Sequence, residues 1–346
     1  MRILIRADAD SRIGSGHIMR CLALAEAALK RGGYAHLLTG ADSQIPEDRF
    51  GREGIEVHRI ESELGSADDA YETVEFSRWR NVDWIVIDGY HFNSAYRKEV
   101  KLAGKKVLAI DDDNCNKKYH ADIILNQNPH ANETLYRPDN PAASLLLGSE
   151  YILLRNEFIK WLGWTRYNPS KAENLLITMG GADIENAALI ALKGVKPLIN
   201  NGFKAQIVVG RSNIHYDELA EFIKREMKGI DIYRGIKDMS MLMTNADIAV
   251  TAAGITLYEA AFLGLPCAAM VLSDNQYPIA DSMSRLGAAV NLGWYNTIEP
   301  EEIGWMMSRL SADEFKRRRM CASGREIVDG LGRERALARM ADFMRR

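Results

Sequence analysis

Twice in this chain a short apolar run ends in a glycine turn and gives way to a helical period, and this repeat limits the fold more than any other feature. Residues 3–8 read as a buried strand, and Gly14-Ser15-Gly16-His17 as the turn. From 17 to 30, Ile18, Leu22, Ala25 and Leu29 recur at a helical spacing. Further strands are expected at 35–39, 55–60, 82–88, 106–111 and 123–126. A second series opens at 174–178, with a glycine turn and a helix from about 185. It continues with strands at 205–209, 230–233, 247–251, 266–271 and 288–292. Strands alternating with helices imply parallel βαβ units, so the fold class is α/β.

The length of 346 residues suits two such domains. The stretch from Trp161 to Ser170, aromatic and polar with Gly163 and Pro169, reads as the linker. Expected boundaries are therefore 1–165, 171–300 and a charged helical tail at 301–346, packing around the hinge or the outside. Two open α/β domains facing each other would create a central cleft at the carboxyl ends of their strands.

A net charge of −3 carries no basic footprint, which argues against nucleic acid as a partner. Cys21, Cys115, Cys267 and Cys321 are far apart and form no Cys-x-x-Cys pair, so neither disulfides nor zinc is indicated. The apolar run at the N-terminus is too short for a signal peptide, and no stretch approaches transmembrane length. The expectation is a cytoplasmic monomer without stable membrane association.

Gly14 and Gly16 let the backbone turn tightly beside a ligand, but the loop is neither Gly-x-Gly-x-x-Gly nor a Walker loop. His17 would stand in the first helical turn, where the helix dipole disfavours an imidazolium and a neutral ring can accept a proton. It reads either as a general base or as a histidine that packs the helix start. Asp8 and Asp10 end the first strand, placed to orient the imidazole, hold a sugar hydroxyl or bond within the loop. Arg20, one turn into the helix, could meet substrate or a carboxylate. The strand end Asp88-Gly89-Tyr90 brings Tyr90 to a position for bonding a sugar or packing under a loop. Asp111-Asp112-Asp113 has no second acidic cluster to complete a metal shell, and reads as solvated loop acids.

In the second half, Gly180-Gly181-Ala182 allows close backbone approach to a diphosphate, favoured by the helix that follows. Gly254-Ile255 opens another helix, and Glu259 one turn inside offers two acceptor oxygens to a ribose. Asn275 and Gln276 could donate to a phosphate or sugar, or cap a helix.

The run from Arg234 through Glu259 resembles the nucleotide-binding domain of GT-B glycosyltransferases, especially the peptidoglycan N-acetylglucosaminyltransferase. That resemblance implies that Gly180, Gly181 and Gly254 approach the diphosphate, that the backbone near Ile236 reads uracil, and that Glu259 binds ribose. The run from Arg6 to Leu24 resembles the UDP-2,4-diacetamido-2,4,6-trideoxy-β-L-altropyranose hydrolases of pseudaminic acid biosynthesis and the related spore-coat polysaccharide proteins. It implies that His17 is the catalytic base. The family's Asp-x-Tyr strand end corresponds to Asp88 and Tyr90, and its Asn-Gln pair to Asn275 and Gln276. The likeness spans roughly residues 1 to 295. Asp10 stands where the family often has Ser or Thr, and the tail after about 300 is too short for the acetyltransferase domain of some longer members.

The implied fold is GT-B. The implied reaction is inverting hydrolysis of a UDP-linked 2,4-diacetamido-2,4,6-trideoxy sugar by water attack at the anomeric carbon, with no cofactor. Helix N-termini rather than a metal would meet the charge of the leaving UDP. A GT-B glycosyltransferase, a UDP-sugar 2-epimerase and a non-catalytic nucleotide-sugar binder are the alternatives. The first lacks an evident acceptor patch, the run Lys98 to Lys106 reading as a solvated helix face; for the second, only His215 offers a histidine in the second domain.

Overall fold

The computed structural model describes residues 1–10, 14–40, 49–112, 117–181, 183–211 and 213–345. Ser11, Arg12, Ile13, Asp113, Cys115 and the expected phosphate-loop residue Ala182 lie outside the described residues. The chain divides into two compact units, one of Met1–Asn156 with Gly330–Arg346, the other of Glu157–Asp329.

The first unit holds strands β1 (Arg2–Ala7), β2 (Tyr34–Thr39), β3 (Glu56–Arg59), β4 (Trp84–Asp88), β5 (Lys106–Ile110), β6 (Ile123–Asn126) and β7 (Ser144–Leu147). They form one parallel sheet in the order β3-β2-β1-β4-β5-β6-β7 among the described residues. Both faces are buried, which is why the strands read as near-continuous apolar runs. Ile3, Ile5, Val86 and Leu108 pack toward α1 (Gly16–Lys30), while Leu4, Ile85, Ile87 and Val107 pack toward α2 (Ala67–Trp79) and α3 (Ser94–Leu102). Successive strands run outward from β1 to β3, and the chain then returns to β4 on the other side of β1. That reversal opens a crevice at the carboxyl ends of β1 and β4.

The second unit begins within the short helix α4 (Asn156–Ile159). Its strands are β8 (Asn174–Thr178), β9 (Lys204–Val209), β10 (Ile230–Arg234), β11 (Ile248–Ala252), β12 (Cys267–Val271) and β13 (Ala289–Trp294). They form a parallel sheet ordered β10-β9-β8-β11-β12-β13, with the reversal between β8 and β11. Helices α5 (Ala187–Asn200), α6 (Tyr216–Glu226), α7 (Met239–Asn245), α8 (Ile255–Phe262) and α9 (Tyr277–Arg285) connect them, and α10 (Pro300–Ala312) and α11 (Glu314–Ile327) follow. The last helix, α12 (Gly332–Met344), belongs to the first unit, where Ala336, Leu337 and Met340 join the core beneath α1.

Two expectations change here. Residues 301–346 do not form a separate tail, because α10 and α11 are part of the second unit and α12 of the first. Nor is 161–170 a free linker. Trp161 Nε1 donates to Ser240 Oγ at 2.8 Å, and Arg166 donates to the carbonyls of Leu263 (3.0 Å), Met243 (2.7 Å) and Ala246. These carbonyls lie at the carboxyl ends of α7 and α8, where backbone acceptors lack helical partners and a cation is favoured.

Candidate functional site

In the first unit, Gly14 N bonds Asp10 O at 3.0 Å, closing the loop after β1, and Ser15 is the N-cap of α1. Gly16 and His17 are the helix's first two residues, so His17 stands over the crevice beside the end of β4. Its Nδ1 lies 2.7 Å from Asp88 Oδ1. Arg20, one turn further, grips the same carboxylate with two prongs, Nε to Oδ2 at 2.6 Å and Nη2 to Oδ1 at 2.7 Å. Its third nitrogen, Nη1, reaches Asp112 Oδ1 at 2.5 Å. Tyr90 donates its hydroxyl to Asp112 Oδ2 at 2.9 Å and meets the His17 ring edge-on at a centroid distance of 4.8 Å.

Burial alone would raise the Asp88 carboxyl, but Arg20 and His17 outweigh it and hold it well below the usual carboxylate range. An ionised Asp88 can only accept, so the proton of the neutral imidazole sits on Nδ1 and the lone pair on Nε2. Arg20 Nη2 is also 3.1 Å from His17 Nδ1, a contact that follows from their sharing Asp88 Oδ1. Asp112 is likewise held low, Arg20 overcoming its burial, and burial with Asp112 beside it pushes the Tyr90 hydroxyl up.

These bonds revise the roles expected of several residues. Asp88 is fully buried and serves His17 and Arg20, not a ligand. Asp8 does not orient the imidazole. It accepts from Arg6 (2.6 Å), Thr39 (2.8 Å) and Gly40 N (2.8 Å), and it pairs with His91 Nε2 at 2.9 Å. Asp111 and Asp112 are buried rather than solvated, because Tyr136 and Arg20 supply the donors that a buried carboxylate requires.

In the second unit, Gly180 follows β8 with φ of +85°, and Gly181 packs so closely under Gly210 that a Cβ at 210 would meet its carbonyl oxygen at 1.7 Å. The start of α5 is not available to a phosphate as expected. Asp183 already accepts from Ala187 N at 2.8 Å and Ala188 N at 3.1 Å, and burial pushes its carboxyl up to about 6 against those two bonds. Gly254 is the N-cap of α8, with open space where a Cβ would stand, so Ile255 starts a helix that has no side chain at its cap. Glu259 is buried one turn inside it, and Ile236 is half-buried after β10. Asn275 and Gln276 lie in a 3-10 turn before α9, and Gln276 is the helix's N-cap without a capping hydrogen bond from its side chain. Their side-chain oxygens accept from Ser273 Oγ (2.6 Å) and Leu272 N (3.1 Å).

No family model matches the chain. It is 29% identical over 293 residues to the UDP-2,4-diacetamido-2,4,6-trideoxy-beta-L-altropyranose hydrolase of Campylobacter jejuni, covering 84% of this chain and 98% of that protein. It is 25% identical to the spore coat polysaccharide biosynthesis protein SpsG of Bacillus subtilis, over 99% of this chain and 98% of that one. It is also 27% identical to an uncharacterized protein of Methanocaldococcus jannaschii, where the match covers 80% of this chain but only 56% of the longer relative. Among solved structures, MurG of Acinetobacter baumannii aligns over 99% of both chains with a TM-score of 0.66 at 17% identity. The UDP-bound MnaA of S. aureus aligns with a TM-score of 0.67 at 12% identity, over 99% of this chain and 97% of that one. The chain has the GT-B fold and is similar in sequence to the hydrolase and to SpsG.

The sequence offered Asp112 only as a solvated loop acid, and it revealed neither Gly210 nor the bonding of Asp8 within an Arg6–Asp8–Asp69 cluster. Arg6 binds Asp69 at 2.9 and 2.7 Å, a partner 63 positions away that no local pattern announces. A usable signal was present for Asp112. An acid directly after an apolar strand, in a sheet with both faces covered, has to find a cation.

Proposed function

We propose that this GT-B homologue hydrolyses a UDP-linked 2,4-diacetamido-2,4,6-trideoxy sugar to the free sugar and UDP. The single observation that carries the reading is the His17–Asp88 pair at 2.7 Å, on the β1/β4 reversal, with Arg20 locking the carboxylate. In this reading the second unit holds UDP. Gly180, Gly181 and the start of α8 at Gly254 approach the diphosphate, Ile236 backbone reads uracil, and Glu259 accepts the ribose hydroxyls. His17 Nε2 takes a proton from water as its oxygen attacks the anomeric carbon. The bond to the UDP oxygen breaks with inversion, and backbone donors meet the charge on the leaving group. Asp88 acts through the imidazole as a positioning residue, and Tyr90 fixes the ring's rotation from its edge.

The names of the C. jejuni and B. subtilis relatives support sugar biosynthesis from a nucleotide sugar, and the UDP-bound neighbour supports the nucleotide. The test is incubation with UDP-linked 2,4-diacetamido sugars in ¹⁸O-water without acceptor. Label in the free sugar is expected, and label in UDP would refute attack at the anomeric carbon. UDP release only when an acceptor is added would assign a glycosyltransferase instead. Turnover should persist in EDTA, and absolute dependence on magnesium would overturn charge stabilisation by the helix start.

A further inference from the structure

At the other end of the first unit's sheet, three side chains that the proposed reaction does not use converge on one point. His36 is the third residue of β2, and Glu56 and His58 are the first and third of β3. The parallel register sets Glu56 opposite His36 and His58 opposite Leu38, so the period of two puts all three on one face. His36 Nδ1 is 3.5 Å and His58 Nε2 3.3 Å from the same oxygen, Glu56 Oε2. Both nitrogens are buried and make no hydrogen bond. The three ligand atoms lie within 4.8 Å of one another.

Two imidazole nitrogens that face one carboxylate oxygen at 3.3 and 3.5 Å form, with that oxygen, a set of donors that a cation would draw together. Ligands about 2.0–2.1 Å from a tetrahedral zinc ion are separated by roughly 3.3 Å, close to both observed nitrogen–oxygen distances. We propose that His36, Glu56 and His58 bind a divalent transition-metal ion of the zinc type, fastening the edge strand β3 to β2. Water completes the coordination. Phe76 of α2 packs against both rings, edge-on at 5.9 Å from His36 and tilted at 4.5 Å from His58, and restrains their rotation. Arg80 donates Nη2 to Glu56 Oε2 at 2.8 Å and serves as the outer partner that ligating carboxylates commonly have. The ion would sit near the starting ends of the strands, remote from His17 at the carboxyl ends, and so acts on the edge strand and not on the reaction.

Titration of the full-length protein with Co(II) tests this without reference to activity. The expected result is one equivalent bound with the visible ligand-field bands of a four-coordinate site. His36→Ala and His58→Ala, checked as folded by circular dichroism, should each weaken binding by about tenfold or more. Absence of the bands in the wild-type protein, bands unchanged in both folded variants, or cobalt–thiolate charge-transfer bands marking a cysteine would each overturn the proposal.

Discussion

Every oxygen of Asp88 is engaged: Oδ1 by His17 and Arg20, Oδ2 by Arg20 and by Cys21 Sγ at 3.4 Å. A residue so placed can act on the reaction only through its neighbours, and that makes its role separable by kinetics. Asp88→Asn should lower kcat by about 10²–10⁴, as expected when a base is held in the wrong tautomer, with little change in KM. Combined with His17→Ala it should add almost nothing, and full additivity of the two losses would show that Asp88 does not work through the imidazole. The same carboxylates govern acid stability. Asp88 beside Arg20, and Asp8 beside His91 and Arg6, are held below the ordinary range despite burial. Depressed folded values mean that their contribution is complete above the unfolded value of about 3.9 and drains as pH falls toward the folded values. The urea midpoint should therefore decline on acidification below about pH 5, and a midpoint that stays flat to pH 2 would contradict the ion-pair account.

Helix α10 illustrates how packing can invert a propensity rule. Replacing a glycine inside a helix by alanine ordinarily gains up to about 1 kcal/mol. Gly304, however, faces α5 so closely that its Cβ would meet Gly194 O at 2.5 Å, while a Cβ on Gly194 would meet Pro300 O at 2.7 Å. Backbone cannot yield as a side chain can, so Gly304→Ala should destabilise by about 1–3 kcal/mol, the usual cost of overpacking. A raised unfolding midpoint would disprove the contact. Such pairings explain what the sequence did and did not disclose. The strands were legible because burial on both faces makes each a short apolar run, and Ile123–Asn126 and Asn174–Thr178 fall as expected. β7 escaped notice, being four residues between Pro141 and Gly148 with no period to read. The candidate positions His17, Arg20, Asp88 and Tyr90 were legible, since Asp88 and Tyr90 mark the end of a strand and His17 and Arg20 stand in the first turns of a helix. Their mutual bonds were not, because partners such as Arg20 and Asp112 lie 92 positions apart.

Across the whole molecule, α12 shows the limit of local reading most clearly. Its apolar face, with Ala336, Leu337 and Met340, could have covered any sheet, and only the fold reveals that it completes the first unit, where Arg333 donates to Asn156 Oδ1 at 2.8 Å. The proposed division of labour between the units yields the last prediction. If the second unit alone holds UDP, then UDP at about 100 times its Kd should stabilise the protein by about 2.7 kcal/mol, and His17→Ala should keep that full stabilisation while losing turnover. Glu259→Ala removes two charge-assisted acceptors worth about 1.5–3 kcal/mol together, so its Kd for UDP should rise about 10- to 100-fold. Gly210→Ala, which drives a methyl group into the Gly181 carbonyl, should weaken UDP in the same direction by displacing the turn after β8. Calorimetry of UDP with the three variants decides the matter: loss of UDP binding in His17→Ala, or its full retention in Glu259→Ala, would sink the assignment of base and nucleotide site to separate units.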